Sequence, residues 1–116
     1  MASLRMVYDD EGDILDVDFR LTGEKPRHGI ELHDNVTVWT DAKGGRILRL
    51  MFLSYGKLLE QPDLPLVKLK KLPARQRAGL LKLLKSDPVK RFLVCVNKKE
   101  FRFRVTDPGV RAGAAA

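Results

Sequence analysis

Residues 36–53 carry the pattern that decides the fold: Val36-Thr37-Val38-Trp39-Thr40, then Asp41-Ala42-Lys43-Gly44-Gly45, then Arg46-Ile47-Leu48-Arg49-Leu50-Met51-Phe52-Leu53. The first and third segments are rich in β-branched and large apolar residues, which favour extended strands. The segment between them ends in two glycines, which adopt the positive φ angles of tight turns without steric cost. The pattern therefore predicts two antiparallel strands joined by a hairpin.

The second of these strands is apolar on both faces. Alternation assigns its residues as follows: Leu48, Leu50 and Phe52 to one face, and Ile47, Arg49, Met51 and Leu53 to the other. Trp39 of the first strand falls on the same face as Met51. Apolar residues on both faces are typical of a strand that is covered from two sides. We therefore expect residues 61–106 to cover the face that carries Trp39.

Two extended segments precede this hairpin, at residues 14–21 and 30–32, and a short apolar run stands before them at residues 6–8. The alternation is clearest over residues 14–21, where apolar residues at every second position separate Asp16, Asp18 and Arg20. Together with the hairpin, these segments predict an antiparallel sheet of about four strands within residues 5–60.

Four short motifs of this half resemble domain-of-unknown-function family 2283: Tyr8-Asp9, Asp13-x-Leu15-x-Val17, Glu31-Leu32-x-Asp34-x-Val36-x-Val38 and Asp41-x-x-Gly44-x-Arg46-Ile47. The resemblance covers about residues 5–57, and the rest of the chain is unmatched. It implies a small prokaryotic protein built on a compact antiparallel sheet, with no family catalytic residue to carry over. It also hints at a role in a toxin–antitoxin-type gene pair.

Residues 61–108 form a helix-plus-hairpin half. Pro73 suits the first turn of a helix over residues 73–85, which Asp87-Pro88 ends. Two strand-like segments, Val89–Asn97 and Glu100–Thr106, flank the pair Lys98-Lys99 and predict a hairpin. We expect residues 66–71 to form an edge strand or extended linker, and residues 109–116 to be a disordered tail. The fold class that follows is α+β, one compact domain over residues 1–116.

Charge is divided unequally between the two halves. The chain has 22 Lys/Arg and 15 Asp/Glu, a net charge of +7. Residues 1–60 hold 8 Lys/Arg against 11 Asp/Glu, whereas residues 61–116 hold 14 against 4. Such an asymmetry suggests an anionic partner for the second half. The alternative is that the acidic half neutralises part of the basic half internally.

Composition excludes several classes of protein. No apolar run approaches the roughly 20 residues of a membrane span, and the first ten residues lack the apolar core of a signal peptide. Cys95 is the only cysteine, so an internal disulfide is impossible. We expect a cytoplasmic protein with no contact to a membrane.

Three groups of polar residues have residue types that catalytic or metal sites also use. Asp9, Glu11 and Asp13 lack the spacing of a calcium-binding loop, and we interpret them as a solvated acidic turn. Asp16 and Asp18 are interpreted as a solvated strand face or as ion-pair partners of the basic half. The only histidines, His28 and His33, have no metal-ligand spacing with the distant cysteine. We expect no catalytic residue, no metal and no cofactor.

The leading hypothesis is a non-enzymatic module whose basic half binds nucleic acid or another polyanion. The candidate contact residues are Arg75, Lys82, Lys85, Lys90, Arg91, Lys98, Lys99, Arg102 and Arg104. Arg102 and Arg104 share one face of the predicted hairpin, which makes them the first choice for phosphate contacts. The alternative is a protein–protein interaction subunit, antitoxin-like or an inhibitor, which meets a partner or a copy of itself through the face of Trp39 and Met51. A third reading, a small basic ribonuclease, lacks a clear general base.

Overall fold

Five antiparallel strands form the larger of two sheets. The computed structural model describes residues 4–20, 25–26 and 28–109. The strands are β1 (Arg5–Asp9), β2 (Ile14–Asp18), β3 (His28–His33), β4 (Val36–Thr40) and β5 (Ile47–Leu53), in the spatial order β1-β2-β5-β4-β3. The predicted hairpin is β4–β5, and the short segment near residue 7 supplies a fifth strand at one edge.

Within residues 54–109, the described chain forms three helices and a second, three-stranded sheet. Its elements are α1 (Tyr55–Leu59), β6 (Leu64–Pro65), α2 (Val67–Lys70), α3 (Ala74–Leu84), a 3-10 turn (Val89–Arg91), β7 (Leu93–Asn97) and β8 (Arg102–Val105). The second sheet has the order β6-β8-β7, with β7 and β8 as the predicted hairpin. The α+β fold class is therefore confirmed. None of the described helices has the length and apolar character needed to cross a bilayer.

The core lies between one face of the large sheet and the elements that follow it. The sheet contributes fully buried side chains from β2, β4 and β5, and the cover contributes others from residues 64–105: Leu66, Leu69, Leu84, Phe92, Leu93 and Phe103. The Phe19 and Phe92 rings meet edge to face at 6.2 Å across this junction. Residues from both halves thus share one hydrophobic core.

This covered face is the one that carries Leu50 and Phe52, so the expectation that residues 61–106 cover Trp39 is wrong. The opposite face, which we call the open face, carries Asp16, Asp18 and Arg49 beside Trp39. Burying those three charges would cost more than burying the uniformly apolar face. Polar residues, and not the number of apolar ones, therefore decide which side is covered.

Ile47 also lies in the core and not on the open face. The pairing of β4 with β5 shifts register between Trp39 and Thr40, because Trp39 pairs with Arg49 while Thr40 pairs with Ile47. Leu48 is then the extra residue of a β-bulge. The bulge breaks the alternation and allows Ile47 and Leu48 to be buried together.

The acidic turn before β2 is only partly solvated. Asp13 has a positive φ of 55°, and its carboxylate accepts hydrogen bonds from the Tyr8 hydroxyl at 2.7 Å and the Gly56 N–H at 2.9 Å. The interpretation as a solvated turn is therefore wrong for Asp13, because its carboxylate is bound by other parts of the protein. Through these hydrogen bonds Asp13 connects the β1–β2 hairpin to the start of α1. Asp9 and Glu11 are exposed, as expected.

Residues 67–70 form a helix, so the expectation of an edge strand or linker there is wrong. Leu66 and Leu69 are fully buried whereas Val67 is exposed, which is the three-residue spacing of a helix face. The predicted helix at residues 73–85 is confirmed as α3, with Pro73 at its N-cap. Residues 110–116, where a disordered tail was predicted, lie outside the described residues.

Substitutions in α2 test this helical assignment. Leu69→Ala should lower the free energy of unfolding by about 2–5 kcal/mol, because it leaves a cavity in the core. Val67→Ala, at a side chain that is 47% exposed, should change it by less than about 0.5 kcal/mol. Urea denaturation measures both values. In an extended segment residues 67 and 69 would share a face, so equal losses would contradict the helix.

Candidate binding surfaces

Three lysines from two separate elements line one groove on the cover. Lys82 of α3, Lys85 at the C-cap of α3 and Lys98 of the β7–β8 turn line a volume of about 330 Å³ together with Ala78 and Leu81. We call this surface the lysine groove. Each of its three lysines is exposed. The structure thus brings together three of the nine predicted contact residues.

The helical repeat of α3 explains this placement. Leu80, Leu81 and Leu84 are buried, so the residues about half a turn away from them face solvent. Arg75 and Lys82 lie seven residues apart on that outer side, and so about 10.5 Å apart along the axis. Among the described residues, the lysines of the groove form no ion pair. Their positive charge is therefore not neutralised by that part of the chain.

Arg102 and Arg104 are held by contacts within the protein, although they were the first choice for phosphate contacts. The Arg102 guanidinium pairs with Asp63 at 2.7 Å and Glu100 at 3.3 Å, and its pKa is raised chiefly by the hydrogen bond with Asp63. Arg104 donates to the carbonyl oxygen of Pro62 at 3.0 Å. These arginines fasten β8 to the chain before β6, so a substitution there would affect packing as well as charge.

The remaining predicted contact residues lie elsewhere. Lys90 pairs with Asp87 at 3.5 Å, and Arg91 lines a different cavity beside α3, of about 300 Å³. Arg75 lines a separate groove of about 390 Å³, together with His28 and Lys43. Lys99 is exposed and follows Lys98 in the hairpin turn. The nine residues therefore do not form one surface.

The open face is organised around Trp39. The Arg49 guanidinium lies 4.8 Å from the centre of the Trp39 ring and also pairs with Asp16. The hydrogen bond with Asp16 is the main cause that raises the pKa of Arg49. The ring also lies against Gly29 of β3, where an added Cβ would come within 2.9 Å of the Trp39 Nε1. Sequence reasoning missed Gly29, because only the β3–β4 register places it opposite Trp39.

Asp16 and Asp18 are both paired with arginines, but these arginines belong to the acidic half and not to the basic half. Asp16 pairs with Arg49, and Asp18 pairs with Arg20 at 2.7 Å. Hydrogen bonding from the Arg20 side chain lowers the pKa of the Asp18 carboxyl below its ordinary value. Both pairs on the open face therefore lie within residues 1–60.

The two histidines lie in separate places at the β3 edge. His28 Nε2 is 3.3 Å from the carbonyl oxygen of Ala42, and His33 Nδ1 accepts a hydrogen bond from the N–H of Asn35 at 3.1 Å. Within residues 4–20, 25–26 and 28–109, no three His, Cys, Asp or Glu side chains are grouped so as to hold a metal ion. Cys95 is half-buried and packs against the core.

Comparison of the chain with family models, with curated proteins and with solved structures finds no match. The resemblance of residues 5–57 to domain-of-unknown-function family 2283 stays a prediction.

The Asp18–Arg20 pair predicts a pH dependence. The Asp18 pKa is lower in the folded state than its value of about 3.9 in an unfolded chain, so the ionised carboxyl favours folding at neutral pH. This contribution is lost as the pH falls through the folded-state pKa. Asp18→Asn should therefore lower the melting temperature at pH 7, and the difference from the wild type should shrink below about pH 4.

Melting curves recorded between pH 7 and pH 2.5 measure this difference. Asp10→Asn, which removes the same charge from an exposed turn, is the matched control. A wild-type–Asp18→Asn difference that stays constant across the whole pH range would contradict the stabilising role of the pair.

Proposed function

We propose that the protein is a binding module for the phosphate backbone of nucleic acid, and that the lysine groove is its contact surface. The observation that carries this proposal is that α3 with its C-cap and the β7–β8 turn bring three lysines to one groove: Lys82, Lys85 and Lys98. Cations on one surface can neutralise several phosphates at once and release their counterions, which is the main source of sequence-independent affinity.

Two neighbouring residues extend this surface. Arg75 continues the outer side of α3 beyond Lys82, and Lys99 follows Lys98 at the hairpin tip. With the three lysines of the groove, they bring the number of exposed cations on α3, its C-cap and the hairpin turn that could contact phosphates to five. The lining of the groove contains no aromatic side chain on which a base could stack. The proposed binding is therefore electrostatic and tolerant of sequence.

The proposed role is non-enzymatic. The five residues that line the groove are alanine, leucine and lysine, without a histidine or carboxylate for general acid–base work. Phosphate contacts position a protein on nucleic acid but do not by themselves cleave it. We therefore favour binding over the ribonuclease reading.

A second candidate function is protein–protein interaction through the open face. The observation in its favour is that Trp39 stays half-buried on the open face, with the Arg49 guanidinium 4.8 Å from the centre of its ring. Tryptophan and arginine are the residue types most enriched at the centres of protein interfaces. In this candidate function the lysine groove is an ordinary solvated surface.

The salt dependence of binding distinguishes the two candidates. If four or five duplex phosphates are contacted, the slope of log K against log salt concentration should be roughly −4. Replacing Lys82 and Lys85 together by Gln should flatten this slope by about one to two units. Fluorescence anisotropy with labelled DNA and RNA duplexes measures the slope for each variant.

The matched control is the double replacement of Lys70 and Lys71 by Gln, which removes the same charge from exposed residues outside the groove. It should leave the slope nearly unchanged. An equal effect of both pairs would contradict a defined groove. If neither DNA nor RNA binds at about 50 mM salt, the phosphate proposal fails and the protein-partner candidate takes its place.

A further inference from the structure

Strand β1 is an edge strand with an exposed apolar centre. Within the described residues its only strand neighbour is β2. Val7 is 58% exposed, more than any other large apolar side chain that the structure describes, and Met6 is 42% exposed. Edge strands that must stay single usually carry charges, prolines or bulges along their length. In β1 the charged residues stand only at the two ends, Arg5 and Asp9.

The sequence of β1 is complementary to itself when it is read in the opposite direction. Centred on Val7, an antiparallel copy places Val7 opposite Val7 and Met6 opposite Tyr8. The same register places Arg5 opposite Asp9 at both ends. Opposite charges and apolar pairs directly across two strands are each stabilising. One register therefore satisfies all five positions at once.

We propose that two copies of this chain pair through β1 across a two-fold axis at Val7, so that their two large sheets become one continuous sheet. Such an interface is isologous, since each copy presents the same surface. Cross-strand neighbours point to the same side of a sheet, so Arg5, Val7 and Asp9 meet their partners on the open face. Met6 and Tyr8 meet theirs on the covered side.

The other edges lack these features. Glu31 of β3 forms an ion pair with Lys68, and the pairing of β3 with β4 shifts register between Glu31 and His33. β7 has a register shift after Cys95 and no charged residue that could fix a register with a copy of itself. β6 has only two residues. Among the described edge strands, only β1 combines a pairing free of register shifts with charges that are complementary to a copy of itself.

A change of register would lose this complementarity. A shift by one residue would turn the side chains of one copy to the other face. A shift by two residues would place a charged end of β1 opposite Val7, Arg5 in one direction and Asp9 in the other, and would lose both Arg5–Asp9 pairs. The contact is small, so we expect a weak, reversible dimer whose population falls with rising salt. This inference does not depend on the proposed nucleic-acid binding.

A disulfide trap tests the register directly. Residues that face each other across two strands have Cα atoms about 4.5–5.5 Å apart, within the range that a disulfide bridges. In a Cys95→Ser background, Val7→Cys should therefore give a covalent dimer with oxidised glutathione. Met6→Cys should give far less, because its two copies stand diagonally, about 7–8 Å apart. Equal trapping of the two variants, or none of Val7→Cys, would overturn the proposal.

Charge exchange gives an independent test. Arg5→Asp places two acids together at both ends of the interface, and Asp9→Lys places two bases there. Each variant alone should sediment as a monomer at concentrations where the wild type dimerises. An equimolar mixture of the two should dimerise again, because every Arg5–Asp9 position then has one acid and one base.

Two matched variants control this experiment. Lys99→Asp changes the charge as Arg5→Asp does but lies at the β7–β8 turn, and Glu11→Lys matches Asp9→Lys within the β1–β2 turn. Both should dimerise like the wild type. Asp9 also accepts hydrogen bonds from the N–H groups of Glu11 and Gly12, so circular dichroism must confirm that Asp9→Lys is folded. The proposal is overturned if the folded wild type is monomeric throughout, or if the mixture fails to dimerise.

Discussion

The rest of the structure depends on the contacts that the buried side chain of Tyr55 makes with both layers of the fold. Its hydroxyl donates to the carbonyl oxygen of Thr106 at 2.7 Å, and its ring packs against Phe52 and Tyr8. A buried hydroxyl without a partner is costly, so α1 packs where Thr106, the residue after β8, supplies a carbonyl group. The backbone N–H of Tyr55 donates to the carbonyl oxygen of Asp13 at 2.9 Å, which fixes the β1–β2 hairpin to the same residue. One residue thus joins the large sheet to the chain that covers it.

Local patterns predicted most of the elements but not how the layers stack. The β4–β5 hairpin and α3 follow from turn glycines, a proline and the spacing of apolar residues, all of which act over a few neighbours. The covered face of the sheet depends on Asp16, Asp18 and Arg49 jointly, which lie on two strands that the sequence does not show to be neighbours. Ile47 was misplaced because a bulge depends on the register with the partner strand and leaves no local signal.

The candidate binding surfaces follow the same rule: what depends on local sequence was predictable, and what depends on distant partners was not. The exposure of Lys82 and Lys85 follows from the helical repeat of α3, whereas the partner of Arg102 does not, because Asp63 lies 39 residues away in the sequence. The ring of Trp39 on Gly29 is likewise a product of strand pairing. Charge counting therefore located the excess of cations in residues 61–116 but could not separate cations that hold the fold together from cations that face solvent.

The layering of the fold also separates electric charge. The acidic half supplies the large sheet and its turns, while the basic half supplies the cover, with Lys82 and Lys85 on its outer side. Because the half that forms the sheet has a net negative charge and the half that forms the cover has a net positive charge, the molecule has an electric dipole directed towards the cover. In the field of any large anion it would rotate so that its cover approaches first, which raises the fraction of encounters in a productive orientation. This orienting torque would weaken as salt shortens the reach of the field.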